Sequence, residues 1–425
     1  MITRVRGTRD ILDLEKYNFV FNLIKNKLKC HNFVEIHTPI IEKSKLFTKS
    51  LGNETDIINK EMFFLKNKNT EKETENNDDS ICLRPEGTAS TIRAYIENQI
   101  QKSPWRAFSY GPMFRYERPQ KGRYREFFQN TIEMINAESL FYDVELIMIL
   151  NNLFKDIGIE NFSLDINFIG TSIEREKYKI VLLDYFHSII KNIPEEYHSR
   201  ITKEKVLRLL DCKDISIQIL LKDAPILENF LSEESLEKWH KIQNSLITLN
   251  INFSINHTLI RGLDYYNDTV FEFKSNVLGA QNAFCGGGRY DGLATLLESK
   301  EKIPSVGAGI GIDRLIILLE EQNKINLIKK KLISIIVTKN EYFNYALKIN
   351  EIITNANLCS EIFFDKNSLK SSLRKADSED AAIVCIIGDT EFENKSASIK
   401  LLKTGDQAMV QIENIASYCY QLLSI

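Results

Sequence analysis

The chain lacks most of the features that mark a membrane, secreted or metal-built protein. Across its 425 residues no apolar run reaches the ~18 residues that a bilayer-spanning helix needs. Its first residues, Met1 to Arg4, pass straight into polar sequence, so no secretory leader is expected and the expected compartment is the cytoplasm. There are seven cysteines, an odd number, and no two form a C-x-x-C pair. Cys30, Cys82, Cys212, Cys285, Cys359, Cys385 and Cys419 are therefore expected as small core residues, and no metal site is expected from the protein's own ligands. A G-x-x-x-x-G-K-[ST] phosphate loop is absent, so any nucleotide site must have another architecture. No Ser/His/Asp or Cys/His arrangement is recognisable, which argues against a nucleophilic hydrolase. The net charge of −3 neither requires nor excludes a nucleic-acid partner, and any basic patch must be local.

What is present is an ordinary globular composition, 43% hydrophobic and 27% charged, long enough for two or three domains. Tyr17, Phe21, Ile24 and Leu28 recur at helical spacing and predict an amphipathic helix ending near Cys30. A strand is expected over 33–37. Residues 66–80 contain no apolar side chain and predict a mobile loop between strands at 62–65 and 81–83. A helix follows over 85–99, then strands over 106–117 and 126–134, a helix over 142–154 and a strand over 162–168. From about 172 to 247 the pattern is helical, charge-rich and almost free of glycine, which predicts a helical insertion. Strand patterning is expected again from 251 through 273, followed by a glycine-rich segment and a helix from Arg314 onward. A polar linker is expected over 326–331, and residues 332–425 predict a small α/β domain.

The densest local signal is FRYERPQKGRYREFFQ, residues 114–129. Alternation along a strand places Arg115 and Glu117 on one face and Phe114 and Tyr116 on the other. On the returning strand Gln129, Thr131 and Glu133 share a face. The turn between them carries Arg118, Lys121, Arg123 and Arg125, which suits a polyphosphate or the end of a nucleic acid. Taken alone, this segment is equally readable as an exposed hairpin with ordinary surface charges. Further along, Gly307, Gly309 and Gly311 alternate with Val306, Ala308 and Ile310. One strand face without side chains would let a flat ring approach the backbone, and close helix–strand packing is the alternative.

The 114–129 segment resembles motif 2 of the class II aminoacyl-tRNA synthetases, in the form that the histidyl branch carries. FVEIHTPIIE (33–42) resembles motif 1, and SVGAGIGIDRLIILLE (305–320) resembles motif 3. LIRGLDYYNDTVFEF (259–273) and AQNAFCGGGRYDGL (280–293) resemble two peptides peculiar to the histidyl branch, and LRPEGTAS (83–90) adds a further match. Asn282 and Phe284 depart from that pattern by their size. The resemblance extends from Arg6-Gly7-Thr8 to the end of the chain. It implies an α+β catalytic core over 1–325, with a mixed, mainly antiparallel sheet and the helical insertion, and an anticodon-binding domain over 332–425. It also implies ATP as substrate, with Mg2+ because a hard dication neutralises phosphate oxygens. L-histidine, tRNA(His) and a second copy of the chain are the implied partners, motif 1 building the homodimer interface.

Residue roles follow from the same resemblance. Arg115 and Arg261 are the implied catalytic groups, approaching the α-phosphate from two sides. Glu117, Arg123, Gly307, Gly309 and Arg314 complete the ATP site, Arg314 at the γ-phosphate. Glu86, Thr88 and Gln129 take the histidine α-ammonium, Glu133 and Tyr266 pair with the imidazole, Tyr265 lines the pocket, and Gly87, Arg115 and Arg261 complete the implied histidine contacts. Gln120 and Arg125 are the implied contacts to the tRNA acceptor end. Three alternatives are weighed against this reading: a non-catalytic regulatory relative, a class II synthetase for another amino acid, and a plain nucleic-acid-binding protein.

Overall fold

The computed structural model describes residues 2–51, 55, 57–65, 80–203, 205–212, 214–263, 265–279, 282–327, 331–364 and 368–424. Most of the expected loop over 66–80, and residues 328–330 of the expected linker, lie outside the described residues. The chain divides into two compact units, Met1–Asn326 and Leu327–Ile425.

In chain order the strands are β1 (Val34–Glu35), β2 (Ile41–Lys43), β3 (Phe63–Leu65), β4 (Ile81–Leu83), β5 (Trp105–Phe114), β6 (Glu126–Ile135), β7 (Ser163–Phe168), β8 (Ser254–Ile255), β9 (Asn267–Lys274), β10 (Ala283–Arg289), β11 (Ser305–Gly311), β12 (Leu332–Val337), β13 (Cys359–Phe363), β14 (Ala381–Ile387), β15 (Ser396–Leu401) and β16 (Gln407–Gln411). The first unit is built on an eight-stranded sheet in the order β1-β5-β6-β11-β10-β9-β7-β8. Its terminal pairs, β1 with β5 and β7 with β8, are parallel, and all its other pairs are antiparallel. β2, β4 and β3 form a small antiparallel sheet in that order.

Helix Glu15–Cys30 buries Tyr17, Val20, Ile24 and Leu28 at helical spacing and ends with Lys27 and Lys29 beside its C-terminal carbonyls. Phe21 lies at the edge of that stripe, its ring tilted against Tyr110 at 4.3 Å. Helices Phe141–Asp156 and Ile312–Glu321 contribute Ile147, Leu150, Leu315 and Leu319 to the same core, with Ile132, Ala308 and Phe271 from the sheet.

Among the described residues the expected insertion holds four α-helices, the longest being Ser172–Ser188 and Glu233–Thr248. Thr171 and Glu174 form a capping box at the start of the first. Glu174 also accepts from the backbone N–H of Ser232 at 2.7 Å and the Ser235 hydroxyl at 3.1 Å, so one carboxylate ties the first helix to the start of the second. Burial works against its charge, yet these donors hold its pKa down to about 2.

Two expected strands are corrected. The strand expected over 106–117 leaves the ladder after Phe114, because Tyr116 donates instead to the Glu61 carbonyl at 2.7 Å. Of the described residues in the strand expected from 251 through 273, only Ser254–Ile255 and the part from Asn267 pair in the sheet. Residues 259–263 and 265–266 lie outside the ladder, and Asn256 closes a turn with Leu259 at 2.9 Å.

The second unit carries a five-stranded sheet, β13-β12-β14-β15-β16, parallel about β12 and antiparallel from β14 to β16. Its helices bury Ile349, Ile353 and Cys419 against Ile335, Cys385 and Ile399. Among the cysteines, Cys82, Cys212, Cys285, Cys385 and Cys419 are buried, while Cys30 and Cys359 are exposed. No helix among the described residues is long and apolar enough to cross a membrane.

Candidate active site

The central strands of the large sheet, β6, β11, β10 and β9, form the floor of a cleft of about 190 Å3. Arg115, Glu117, Arg123 and Gln129 reach it from the β5–β6 hairpin, Arg261 from the segment before β9, and Arg314 from the helix after β11. Three stretches far apart in the chain thus place arginines around one space. Their charges are not free of one another. Burial lowers the pKa of Arg314, and the nearby Arg123 adds to that depression. Glu117 and Glu272 on the cleft wall offset only part of this positive charge, which favours a ligand that brings negative charge.

Each arginine is already oriented. Arg115 Nε donates to the Pro85 carbonyl at 2.9 Å, with its guanidinium 5.4 Å from the Phe127 ring centroid. Arg314 donates to the carbonyls of Ala283 at 2.5 Å and Gly122 at 3.2 Å. Arg261 pairs with Glu272; burial works against the cation's charge, but Glu272 together with Tyr266, Tyr265 and Cys285 raises its pKa overall. Glu117 sits 3.2 Å from Arg123 and 3.9 Å from Arg115. Gln129 Oε1 is buried with no hydrogen-bond partner among the described residues. A buried acceptor left unsatisfied is costly, which marks it for a donor brought by a ligand.

Beside this cationic cleft lies a buried cluster of acid and phenols. Glu133, with no exposed surface, accepts from the Thr88 hydroxyl at 2.7 Å and from the Tyr290 hydroxyl. Desolvation pushes its pKa up to about 8, against the pull of those two donors. Tyr265 and Tyr266 are 5% exposed each and pack on one another at 4.6 Å, and Tyr265 lies 5.7 Å from Tyr290. The Arg261 guanidinium, 6.0 Å from the Tyr266 ring, stands between the cluster and the cleft. Glu86 is turned toward the start of helix Thr88–Glu97, where its carboxylate accepts from the backbone N–H groups of Thr88 at 2.7 Å and Ala89 at 2.8 Å. Burial nevertheless raises its pKa. Burial raises the pKa of the Cys285 thiol, also on the cleft wall, which disfavours its thiolate.

The glycines explain how the side chains fit. A Cβ at Gly286 would overlap the Arg261 guanidinium, and one at Gly288 would crowd Tyr266 at 3.0 Å. On β11 the space above Gly307 is filled by the Glu133 carboxylate and that above Gly309 by the Gln129 amide. This corrects the expectation that Gly307 offers a bare face to a flat ring, since Glu133, paired opposite it in the ladder, already occupies that face. Gly309 and Gly311 do line the cleft. Gly87 packs instead against the Thr131 side chain. Gly307→Ala should cost about 1–3 kcal/mol of stability by overpacking against the Glu133 carboxylate. Thermal melts of the variant beside the wild-type chain check this, and an unchanged Tm would contradict it.

Two expected tRNA contacts part company. Gln120 is exposed, whereas Arg125 is half-buried with its guanidinium 3.5 Å from the Tyr116 ring centroid. Sequence reasoning missed Tyr290, Glu272 and the buried Arg289, which pairs with Asp143 and Asp291 beneath Tyr290. The signal for Tyr290 and Glu272 was available, since a buried carboxylate and a buried guanidinium each require a partner.

Residues 69–323 match the family described as the tRNA synthetase class II core domain (G, H, P, S and T), and residues 332–422 match the anticodon binding domain. The first match covers more than half of the chain, and the chain belongs to the class II aminoacyl-tRNA synthetases. It is 37% identical over 425 residues to the histidine–tRNA ligase of Neorickettsia sennetsu, covering 99% of each. It is 38% identical over 422 residues to the chloroplastic histidine–tRNA ligase of Gracilaria tenuistipitata var. liui, covering 98% of each. The crystal structure of apo Staphylococcus aureus histidyl-tRNA synthetase matches with a TM-score of 0.79 at 30% identity, covering 98% of this chain and 99% of that one. Within the class, the chain is a member of the histidine–tRNA ligase family.

Proposed function

We propose that this chain activates L-histidine with ATP and transfers it to the 3′ end of tRNA(His). In the first step the histidine carboxylate attacks the α-phosphorus, the bond to the bridging oxygen breaks, and pyrophosphate leaves with the electron pair. The attacking group is already an anion, so no general base is needed. Alignment and positive charge at the developing pentacovalent phosphorus are what the step demands. Arg115 and Arg261 supply these from opposite sides, Arg314 holds the γ-phosphate, and Glu117, Arg123 and Gly309 bound the rest of the nucleotide. Arginine suits the task because its planar fork binds two oxygens and keeps its charge at any working pH.

Glu133 and Tyr266 take the two nitrogens of the imidazole, with Tyr290 and Thr88 holding the carboxylate in place. Glu86, Thr88 and Gln129 take the α-ammonium, and Tyr265 closes the pocket. ATP brings Mg2+ with it. The donor set fits a dication held mainly by phosphate, since Glu117 and Glu272 are carboxylates on the cleft wall while no group of three His, Cys, Asp or Glu suited to a metal stands together among the described residues. In the second step the terminal ribose hydroxyl attacks the adenylate carbonyl and AMP leaves. Gln120, at the exposed turn, is the better placed of the two expected acceptor-end contacts. The functional division is a catalytic unit over 1–325 with its insertion at about 172–247, a linker over 326–331, and an anticodon-binding unit over 332–425. The chain works in the cytoplasm as a homodimer, and exposed Val34, Ile41, Phe64 and Ile81 on β1 and the small sheet supply apolar surface for that contact.

The observation that carries this reading is the convergence of Arg115, Arg261 and Arg314 on one cleft beside a buried acid-and-phenol cluster. A non-catalytic regulatory relative has no need of those arginines or of the segment that matches an anticodon-binding domain. ATP–pyrophosphate exchange, measured with each amino acid separately, tests it: histidine alone should support exchange, and silence with histidine rejects the proposal.

A further inference from the structure

The eleven residues 115–125 that join β5 to β6 carry Glu117, Arg123 and Tyr124 into the cleft, yet they run outside the ladder and need support from elsewhere. At the tip, Gln120 and Arg123 close a tight turn, and the Gly122 carbonyl is held by Arg314 at 3.2 Å. The returning limb is held by a strap from the start of the chain. Gly7 turns with φ +92°, its carbonyl accepts from the Arg125 backbone N–H at 2.8 Å, and a Cβ there would press on the side chains of Arg125 and Pro119 at 2.9 Å. Two residues on, the Arg9 guanidinium lies 3.8 Å from the centroid of the Tyr124 ring and pairs with Asp313. Asp313, 3% exposed, also accepts from the Tyr17 hydroxyl and from the Phe128 backbone N–H, each at 2.7 Å.

Tyr124 and Asp313 line the cleft and Arg9 does not. One cation therefore stands behind the wall, stacked on a loop residue and paired to the residue that precedes Arg314. We propose that Arg9 is a positioning residue for the nucleotide half of the site, the strap at residues 6–9 fixing the motif 2 loop against the helix that carries Arg314. The inference rests on the reading that ATP occupies this cleft. Pre-ordering the loop lowers the conformational cost of closing it around a polyphosphate. Glu133 is hydrogen-bonded to Thr88 and Tyr290 and stands five residues along β6 from Phe128, so histidine binding should depend far less on the strap than nucleotide binding does.

The test is histidine-dependent ATP–pyrophosphate exchange with the full chain. Arg9→Met should raise the KM for ATP roughly tenfold, the worth of a desolvated cation–π contact, while the KM for histidine stays within about twofold. Tyr124→Leu leaves every partner of Asp313 in place and should show the same ATP-selective rise. In that background Arg9→Met should add less than about threefold, because the two residues act as a unit. Arg9→Lys keeps a charge near Asp313 without a planar face, serves if the methionine variant does not fold, and should raise the KM for ATP by several-fold. Equal rises in both KM values, no change in either, or multiplicative losses in the double variant would overturn the proposal. A wild-type chain with no exchange would remove the nucleotide reading itself, and the strap's role with it.

Discussion

Arg261→Ala should slow histidine-dependent adenylate formation by about 10²–10³-fold, the usual cost of deleting one donor aimed at the transition state, while histidine still binds. The argument is geometric. Arg261 lies on the segment that leaves the sheet ahead of β9, over Gly286, whose missing side chain makes room for the guanidinium. Its Nη1 is held by Glu272, which lines the same cleft. In the proposed reaction an incoming α-phosphate competes for this guanidinium, and the interaction strengthens as charge builds on the phosphoryl oxygens. Removing the arginine also strands Glu272 as an unpaired carboxylate where a triphosphate must sit, so part of the loss is repulsion. Adding Glu272→Gln to Arg261→Ala should therefore recover about tenfold of the rate, from relief of like charge. Single-turnover adenylate formation set beside calorimetric histidine binding separates these effects. A variant with near-normal turnover would remove Arg261 from the chemistry.

How far this site is legible in the sequence depends on which physical constraint speaks through local pattern. The β5–β6 hairpin could be read because alternation is a property of adjacent residues, and Gln129 and Glu133 lie on β6 as expected, whereas Arg115 falls one residue past the end of β5. The end of β5 could not, because it is set by a hydrogen bond from Tyr116 to Glu61, more than fifty positions away in the chain. The alternating glycines of β11 were visible, but their purpose was not. Whether an empty strand face receives a ligand or a neighbour's side chain depends on register, and Gly307 opposite Glu133 is a fact of the ladder. The segment before β9 read as strand because of its aromatic and β-branched content, whereas its backbone leaves the sheet and carries Arg261 to the cleft. Arg289 illustrates the rest. Its partner Asp291 stands two residues along, but Asp143 and the carbonyls of Ala137 and Ser139 come from a distant segment that shares no local signal with it, and only the fold brings them together. The helical insertion was legible as a class of structure, but the clasp of Glu174 on Ser232 and Ser235 was not.

Glu133→Gln should weaken histidine binding about a hundredfold, as expected for losing a hydrogen bond to a buried charged acceptor, and should also change how binding responds to pH. In the free protein Glu133 keeps its proton up to about pH 8 because no solvent stabilises the anion. Neutral imidazole offers one N–H and one lone pair. The Tyr266 hydroxyl, with its pKa pushed up by burial to about 12, stays protonated and donates to the lone pair. Glu133 must then accept from the ring N–H, and with Thr88 and Tyr290 already donating to it, that third donor favours the carboxylate anion. Binding therefore expels a proton from Glu133. The sign follows by linkage: below pH 8 the free site holds one proton more than the complex, so affinity rises with pH by up to about tenfold per unit between roughly 6.5 and 8. Above pH 8 the site is already ionised and affinity levels off. Below about 6.5 free histidine takes up its own proton and the slope steepens. In the glutamine variant only Glu86, whose pKa burial also raises, is left to titrate beside the ligand, so its affinity should change far less from pH 6.5 to 8 than that of the wild-type chain. Calorimetry at pH 7 in two buffers of different ionisation enthalpy should count nearly one proton more released by the wild-type chain than by the variant. Equal counts, or a wild-type affinity indifferent to pH across this window, would mean that the proton stays in the pocket and that Glu133 does not meet the ring as an anion.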